Sequence, residues 1–188
     1  MKISMYHGTS KKRGDQILND GMLKATSIKR VYDDDHPLPS TDGYIYLTND
    51  IALAVYYANK TSYFSDEDEQ LMIFKIEMEK ESLKADIDEI NMTHLSFWKD
   101  KSPIIDKEKP TLDESLAIVS AARFPNDIIL KEFDVQHMIE TSTFSRNSSA
   151  SERVFDILTA RNSKDEYSMK EKEAFLMGCK WENYIDVL

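Results

Sequence analysis

The sequence predicts an α+β fold: a strand-built body followed by a helical C-terminal segment. Three observations lead there. Short runs rich in β-branched and aromatic residues, such as 44–47 (YIYL) and 71–78 (LMIFKIEM), recur through the first 140 residues. The helical stretches between them are brief and are announced by capping residues. After Thr141 the composition shifts: residues 142–151 are mostly Ser, Thr, Asn and Arg, and two amphipathic patterns come after them, 150–161 and 168–178. With 188 residues, 41% of them hydrophobic and 31% charged, the chain is sized for one cored domain. Residues 1–140 are expected to form the body, and 141–188 a connector and helical hairpin packed on it.

Residues 2–6 alternate as a strand ending at Tyr6-His7, and Gly8, Thr9 and Ser10 then read as a polar turn. Ser10 is the expected N-cap of a helix over 11–19, with Ile17 and Leu18 on its apolar face and Asn19-Asp20-Gly21 as its stop. Residues 26–43 carry an Asp33-Asp34-Asp35 run and two prolines with no periodicity, a long loop suited to a lid over a ligand. A strand at 44–47 leads through Thr48-Asn49-Asp50 into a helix over 50–59, where Ala54, Tyr57 and Ala58 share one face. An acidic loop at 65–70 precedes a strand at 71–78 and a second segment ending near Asp86. Residues 87–110 hold a short helix around 93–98 and then a loop rich in Lys, Pro and Asp. Further strands are expected at 116–119 and 128–135, separated by the turn Phe124-Pro125-Asn126-Asp127. Trp181, Tyr184, Ile185 and Leu188 form an apolar tail, and no internal repeat is visible.

Charge narrows the partners. The 24 basic residues against 34 acidic ones, a net of -10, disfavour non-specific binding to duplex nucleic acid. The distribution is uneven: residues 1–30 hold seven basic and two acidic side chains, residues 31–70 one basic and nine acidic. An anionic ligand is therefore expected near the N-terminal segment, unless these are only solvated faces. The single cysteine, Cys179, excludes an internal disulfide and a multi-cysteine zinc site. His36, His94 and His137 lack ligand spacing, and Asp33–Asp35 lacks that of a calcium loop. No apolar run approaches the roughly 20 residues of a membrane helix, and MKISMYHGTS lacks a signal-peptide core. A cytoplasmic, metal-free protein that avoids membranes is expected.

Three features carry chemistry together: the strand-end YHGTS at 6–10, the segment GYIYLTNDIALAVYYA with Tyr46 and Tyr57 eleven apart, and Glu114 ahead of an apolar run in DESLAIVSAARFPNDIILKEF. Taken singly, each has a structural reading. In this order and spacing, over residues 5 to 135, they resemble the ADP-ribosyltransferase superfamily of the diphtheria-toxin and poly(ADP-ribose) polymerase type, with its His-Tyr-Glu triad. The resemblance implies a split β-sheet core with flanking helices and NAD as co-substrate, without a metal. It implies that Gly8 grips the nicotinamide carboxamide through its backbone, with Thr9 beside it, and that Tyr46 and Tyr57 sandwich the nicotinamide ring. His7 would donate to a ribose hydroxyl, and Glu114 would stabilise the cation formed as nicotinamide leaves. Arg13, with Lys11 and Lys12, or the pair Lys29 and Arg30, would meet the pyrophosphate.

Departures from the family pattern narrow the expectation. Ala54 stands where the polymerase-type enzymes place a carboxamide-binding Ser, and Leu112 stands where arginine-modifying toxins place Gln or Glu. The loop from Lys99 to Asp113 corresponds to the segment that reads the acceptor. The expectation is a mono-ADP-ribosyltransferase, a toxin, effector or phage or defence-type enzyme, acting on a macromolecular acceptor, protein or nucleic acid. The C-terminal helices either pack on the body or receive an antitoxin or other partner protein. Two alternatives stand: an NAD-dependent RNA 2'-phosphotransferase-like enzyme, whose phosphate-holding candidates are Arg13, Arg30 and Arg123, and a non-catalytic NAD- or partner-binding module.

Overall fold

In the computed structural model the described residues are 1–25, 41–93, 109–161 and 163–185. They form an α+β fold whose main sheet has seven strands in the order β5-β6-β3-β1-β4-β8-β9, every pairing antiparallel. The strands are β1 (Lys2–Ser10), β3 (Ile45–Thr48), β4 (Gln70–Glu79), β5 (Lys84–Ala85), β6 (Ala121–Phe124), β8 (Asp134–Thr141) and β9 (Glu182–Asn183). A two-stranded sheet pairs β2 (Met22–Leu23) with β7 (Ile128–Ile129). The described residues also hold six α-helices: α1 (Lys11–Asp20), α2 (Ile51–Thr61), α3 (Ile87–Thr93), α4 (Leu112–Ile118), α5 (Ser148–Thr159) and α6 (Glu166–Met177).

The strand period of two places successive residues of β1 in different cores. Met5 packs with Ile45, Leu47, Phe74 and Ile76 in a cluster that Ile17 and Leu18 of α1 approach. Tyr6 packs on the other face with Ala54 and Val55 of α2, Ile73, and Val154, Ile157 and Phe175 of the last two helices. The C-terminal segment thus shares a core with the body. A buried ion pair fixes it there. Lys172 Nζ lies 2.6 Å from Asp50 Oδ2 and donates to the Ser163 carbonyl at 2.8 Å, with Lys172 and Asp50 only 7% and 8% exposed. Asp50 Oδ1 also accepts from the Ala52 N–H at 2.9 Å, so one carboxylate caps α2 and anchors α6.

Several caps sit where the sequence places them. Ser10 Oγ accepts from the Arg13 N–H at 3.3 Å, and Gly21 ends α1 in the left-handed region at φ 65. Three expectations need correction. Gly8, Thr9 and Ser10 are not a turn: β1 runs on through them, paired with β4 from Lys2↔Glu79 to Ser10↔Leu71. Residues 116–119 are not a strand; 112–118 are helix α4, because Thr111 and Glu114 form a reciprocal capping box. The strand expected over 128–135 breaks into β7, a 3-10 turn at Leu130–Glu132, and β8. Residues 87–93, ambiguous in sequence, form α3, while 94–98 of the expected helix lie outside the described residues. So do 26–40 of the expected lid, with Lys29, Arg30 and His36, and 99–108 of the acceptor loop.

The sheet has a seam. β1 pairs with β4 along its whole length but shares with β3 a single position, Tyr6↔Thr48. Beyond Tyr6, β1 and β3 part. Helix α2 lies directly on Gly8: a Cβ built there would stand 2.0 Å from the Ala54 carbonyl oxygen.

Candidate active site

His7 bridges the seam. Its Nδ1 lies 3.1 Å from the Tyr46 carbonyl oxygen, a main-chain acceptor in the part of β3 that β1 no longer pairs. A carbonyl only accepts, so Nδ1 carries the proton. Burial lowers the imidazole pKa against the opposing pull of that bond, which keeps the ring neutral and leaves Nε2 as an acceptor.

Tyr46 and Tyr57 reach a common helix, α3. The Tyr46 hydroxyl donates to Asp88 Oδ2, and the Tyr57 hydroxyl donates to Glu89 Oε2 at 2.5 Å. Consecutive carboxylates therefore hold the two phenols that the sequence singles out. Asp88 is heavily engaged: the Thr41 N–H and hydroxyl donate to it at 2.8 and 3.0 Å, and Arg123 stands 3.7 Å away. Burial, and then the Asp88 carboxylate, push the Tyr46 phenol well above its usual range, so it stays a donor. Glu89 is also pushed up by burial, with Tyr57, Arg161 and Lys60 opposing.

Asp86 sets α3 in place. It is 3% exposed, and its Oδ1 accepts from the Glu89 N–H at 3.0 Å, capping the helix. Its own N–H donates to Ser115 Oγ of α4 at 2.9 Å. Burial raises its carboxyl to about 7; the Glu89 N–H and Arg123 oppose, and the Glu89 and Asp88 charges add to the rise. Arg123, 8% exposed, stacks on the Tyr44 ring with Cζ 4.2 Å from the centroid, and its Nε has no hydrogen-bond partner among the described residues.

The remaining expected site residues each have a structural setting of their own. Glu114 does not open a strand: it sits in the first turn of α4, where its Oε2 accepts from the Thr111 N–H and hydroxyl, both at 2.7 Å. The carboxylates that contact Tyr46 and Tyr57 are Asp88 and Glu89. Gly8 lacks a side chain because α2 occupies that space. Thr9 is buried opposite Met72 in the β1–β4 ladder. Arg13 makes a two-pronged pair with Asp66, its Nε and Nη2 at 2.7 and 2.9 Å from the two carboxylate oxygens. Burial opposes ionisation of Asp66, but the Arg13 and Ser10 hydrogen bonds outweigh it and hold the carboxyl below its usual range. Lys11 and Lys24 pair with Asp15 and Asp20 at 2.6 Å each, so with Arg13 three of the seven basic residues of 1–30 stand against a carboxylate. Cys179 donates to the Phe175 carbonyl at 3.1 Å, and burial lifts its thiol to about 11.

Sequence reasoning misses α3, although its signal is present. Asp86-Ile87-Asp88-Glu89 has a capping residue with Glu three positions on, an N-terminal helix signature. No family model, curated protein or solved structure matches the chain. No helix among the described residues is long and apolar enough to cross a membrane.

Proposed function

We propose that the chain is an NAD-dependent mono-ADP-ribosyltransferase whose reacting carboxylate comes from α3 rather than from Glu114. One observation carries this reading: two phenols from different elements, Tyr46 and Tyr57, are tied by their hydroxyls to neighbouring carboxylates on one short helix. Flat aromatic faces beside a partly buried carboxylate suit a cationic pyridinium on a ribose. The hydroxyl bonds fix both rings before any ligand arrives.

In the proposed reaction the bond between ribose C1' and the nicotinamide nitrogen breaks, and its electron pair leaves with nicotinamide. The ribose acquires oxocarbenium character, which the Glu89 carboxylate stabilises. A nucleophile of the macromolecular acceptor then bonds to C1' and gives its proton to Glu89, whose raised pKa suits it to take one. Asp88, engaged by Thr41, Tyr46 and Arg123, is a positioning residue. His7 Nε2 accepts from a ribose hydroxyl. For the phosphotransferase alternative, Arg13 is taken up by Asp66 and Arg123 stands against Asp88 and Tyr44, while Arg30 lies outside the described residues.

Nicotinamide release from NAD tests the reading. Wild type is expected to release it, and Glu89→Gln to slow release about 10²- to 10⁴-fold, the usual worth of a positioned acid–base group. Labelled NAD offered with separate pools of protein, DNA and RNA identifies the acceptor class. Binding of NAD without release would favour the non-catalytic module instead.

A further inference from the structure

The C-terminal segment reaches the proposed site through one side chain. Helix α5 packs on α2: Ile157 and Ala160, both buried, share a core with Ala54 and Ala58. In the turn that ends α5 the Arg161 N–H donates to the Leu158 carbonyl at 3.4 Å, and the Arg161 side chain lies over α2. Its Cζ is 3.7 Å from the centroid of the Tyr56 ring. That ring meets Tyr57 edge-on, with centroids 5.2 Å apart and planes at 65°. Tyr57 completes the line, its hydroxyl donating to Glu89 Oε2 at 2.5 Å.

Each link constrains the next. A guanidinium this close to a ring is held by the ring's negative face and fixes its plane in return. With Tyr56 fixed, the edge-to-face contact limits how far Tyr57 can turn away from Glu89. Electrostatics runs along the same line. Glu89 faces Tyr57 and Lys60 from α2, Arg161 from the C-terminal segment, and Asp86 from the start of its own helix. Burial drives its carboxyl toward the neutral form, and the Tyr57 bond, then Arg161, then Lys60 oppose. The two cations are not equivalent. A guanidinium is charged at every working pH, whereas burial lowers the pKa of Lys60.

We propose that Arg161 is a positioning residue of this site: stacked on Tyr56, it holds Tyr57 against Glu89 and turns a permanent positive charge toward that carboxylate. It acts through the two rings and through space. The consequence for catalysis rests on the proposed function, in which an ionised Glu89 stabilises the developing cation; the hold on Glu89 itself does not. Activity then depends on how the C-terminal segment sits on α2.

Two readouts on the full chain test this, one of them without substrate. The Glu89 carboxyl is titrated by carbon NMR, with Glu89→Gln to assign its signal, and nicotinamide release from NAD is followed against pH. In Arg161→Gln the Glu89 midpoint should move up, and the acidic limb of release with it, because losing a nearby cation disfavours the carboxylate. Arg161→Lys keeps the charge without the flat stack, so both readouts should fall between wild type and Arg161→Gln. Tyr56→Phe keeps the ring and should match wild type, while Tyr56→Leu removes the seat of Arg161 and should move both readouts toward Arg161→Gln. A Glu89 midpoint unchanged in Arg161→Gln overturns the proposal, even where stability or release falls equally at every pH, the mark of a merely structural residue. A midpoint that moves in a protein whose wild type releases no nicotinamide leaves the hold on Glu89 standing and removes the glycosidic reading. Release by wild type with an unmoved midpoint does the reverse.

Discussion

Replacing Gly8 with alanine probes the contact that seats α2 on the sheet. The new Cβ would lie 2.0 Å from the Ala54 carbonyl oxygen, 2.9 Å from its carbonyl carbon and 3.0 Å from the Ala58 Cβ. A carbon and a carbonyl oxygen ordinarily rest at about 3.3 Å, so the helix must withdraw by roughly 1.3 Å. It has little room to do so. Its first turn is tied to Lys172 through Asp50, and just past its last turn Ser62 Oγ donates to the Ala58 and Gln70 carbonyls at 3.0 and 3.1 Å. Overpacking of this kind costs about 1–3 kcal/mol, toward the upper end when the obstacle is main chain. In a chain of this size that lowers Tm by roughly 2–12 °C. The same retreat moves Tyr57, and a displacement of about 1 Å at a reacting site can lower turnover about 10²-fold. Urea unfolding should show a lower midpoint at unchanged slope, alongside slower nicotinamide release. Ala54→Gly should not rescue the variant, because the colliding atom is the backbone oxygen. A Gly8→Ala protein within about 0.5 kcal/mol of wild type would refute this packing argument.

Lys172→Met strands the buried Asp50 carboxylate and should cost about 3–5 kcal/mol in urea unfolding. The double variant Lys172→Met/Asp50→Ser, which keeps a capping hydroxyl and buries no charge, should recover most of that loss; a strictly additive pair would contradict the coupling. Asp86 titrates near its usual 3.8 in the unfolded chain and at about 7 in the folded one, because it is buried. Between those values only the folded state holds the proton, so this contribution to stability is full below 3.8 and is lost as pH rises to about 7. Asp86→Asn should flatten that part of the stability–pH curve, and an unchanged slope would count against the assignment. Glu114→Ala should cost about 0.3–1.5 kcal/mol through loss of the capping box. Abolished nicotinamide release in a folded Glu114→Ala protein would instead restore the catalytic role that the family resemblance implies.

What the sequence reveals tracks interaction range. Ser10, Gly21 and Asp50 are legible because a cap is settled within three or four residues. Tyr46 and Tyr57 stand out by spacing, and the fold ties both to α3. Gly8 is recognisable as a position that excludes a side chain, but the reason lies 46 residues away in Ala54, and no local pattern records it. The apolar run 116–119 reads as a strand by composition; the Thr111–Glu114 capping box overrides that propensity and makes most of it helix. The family resemblance offers Arg13 to a pyrophosphate, whereas in the fold Asp66, 53 residues on, pairs with it. Lys172 with Asp50, and Arg161 with Tyr56, join segments that share no sequence signal at all.

A crystal structure with an uncleaved NAD analogue tests the central claim most directly. The nicotinamide ring should lie between the Tyr46 and Tyr57 rings, with ribose C1' facing Glu89. A nicotinamide bound elsewhere, or one whose ribose meets Glu114 instead, would contradict it.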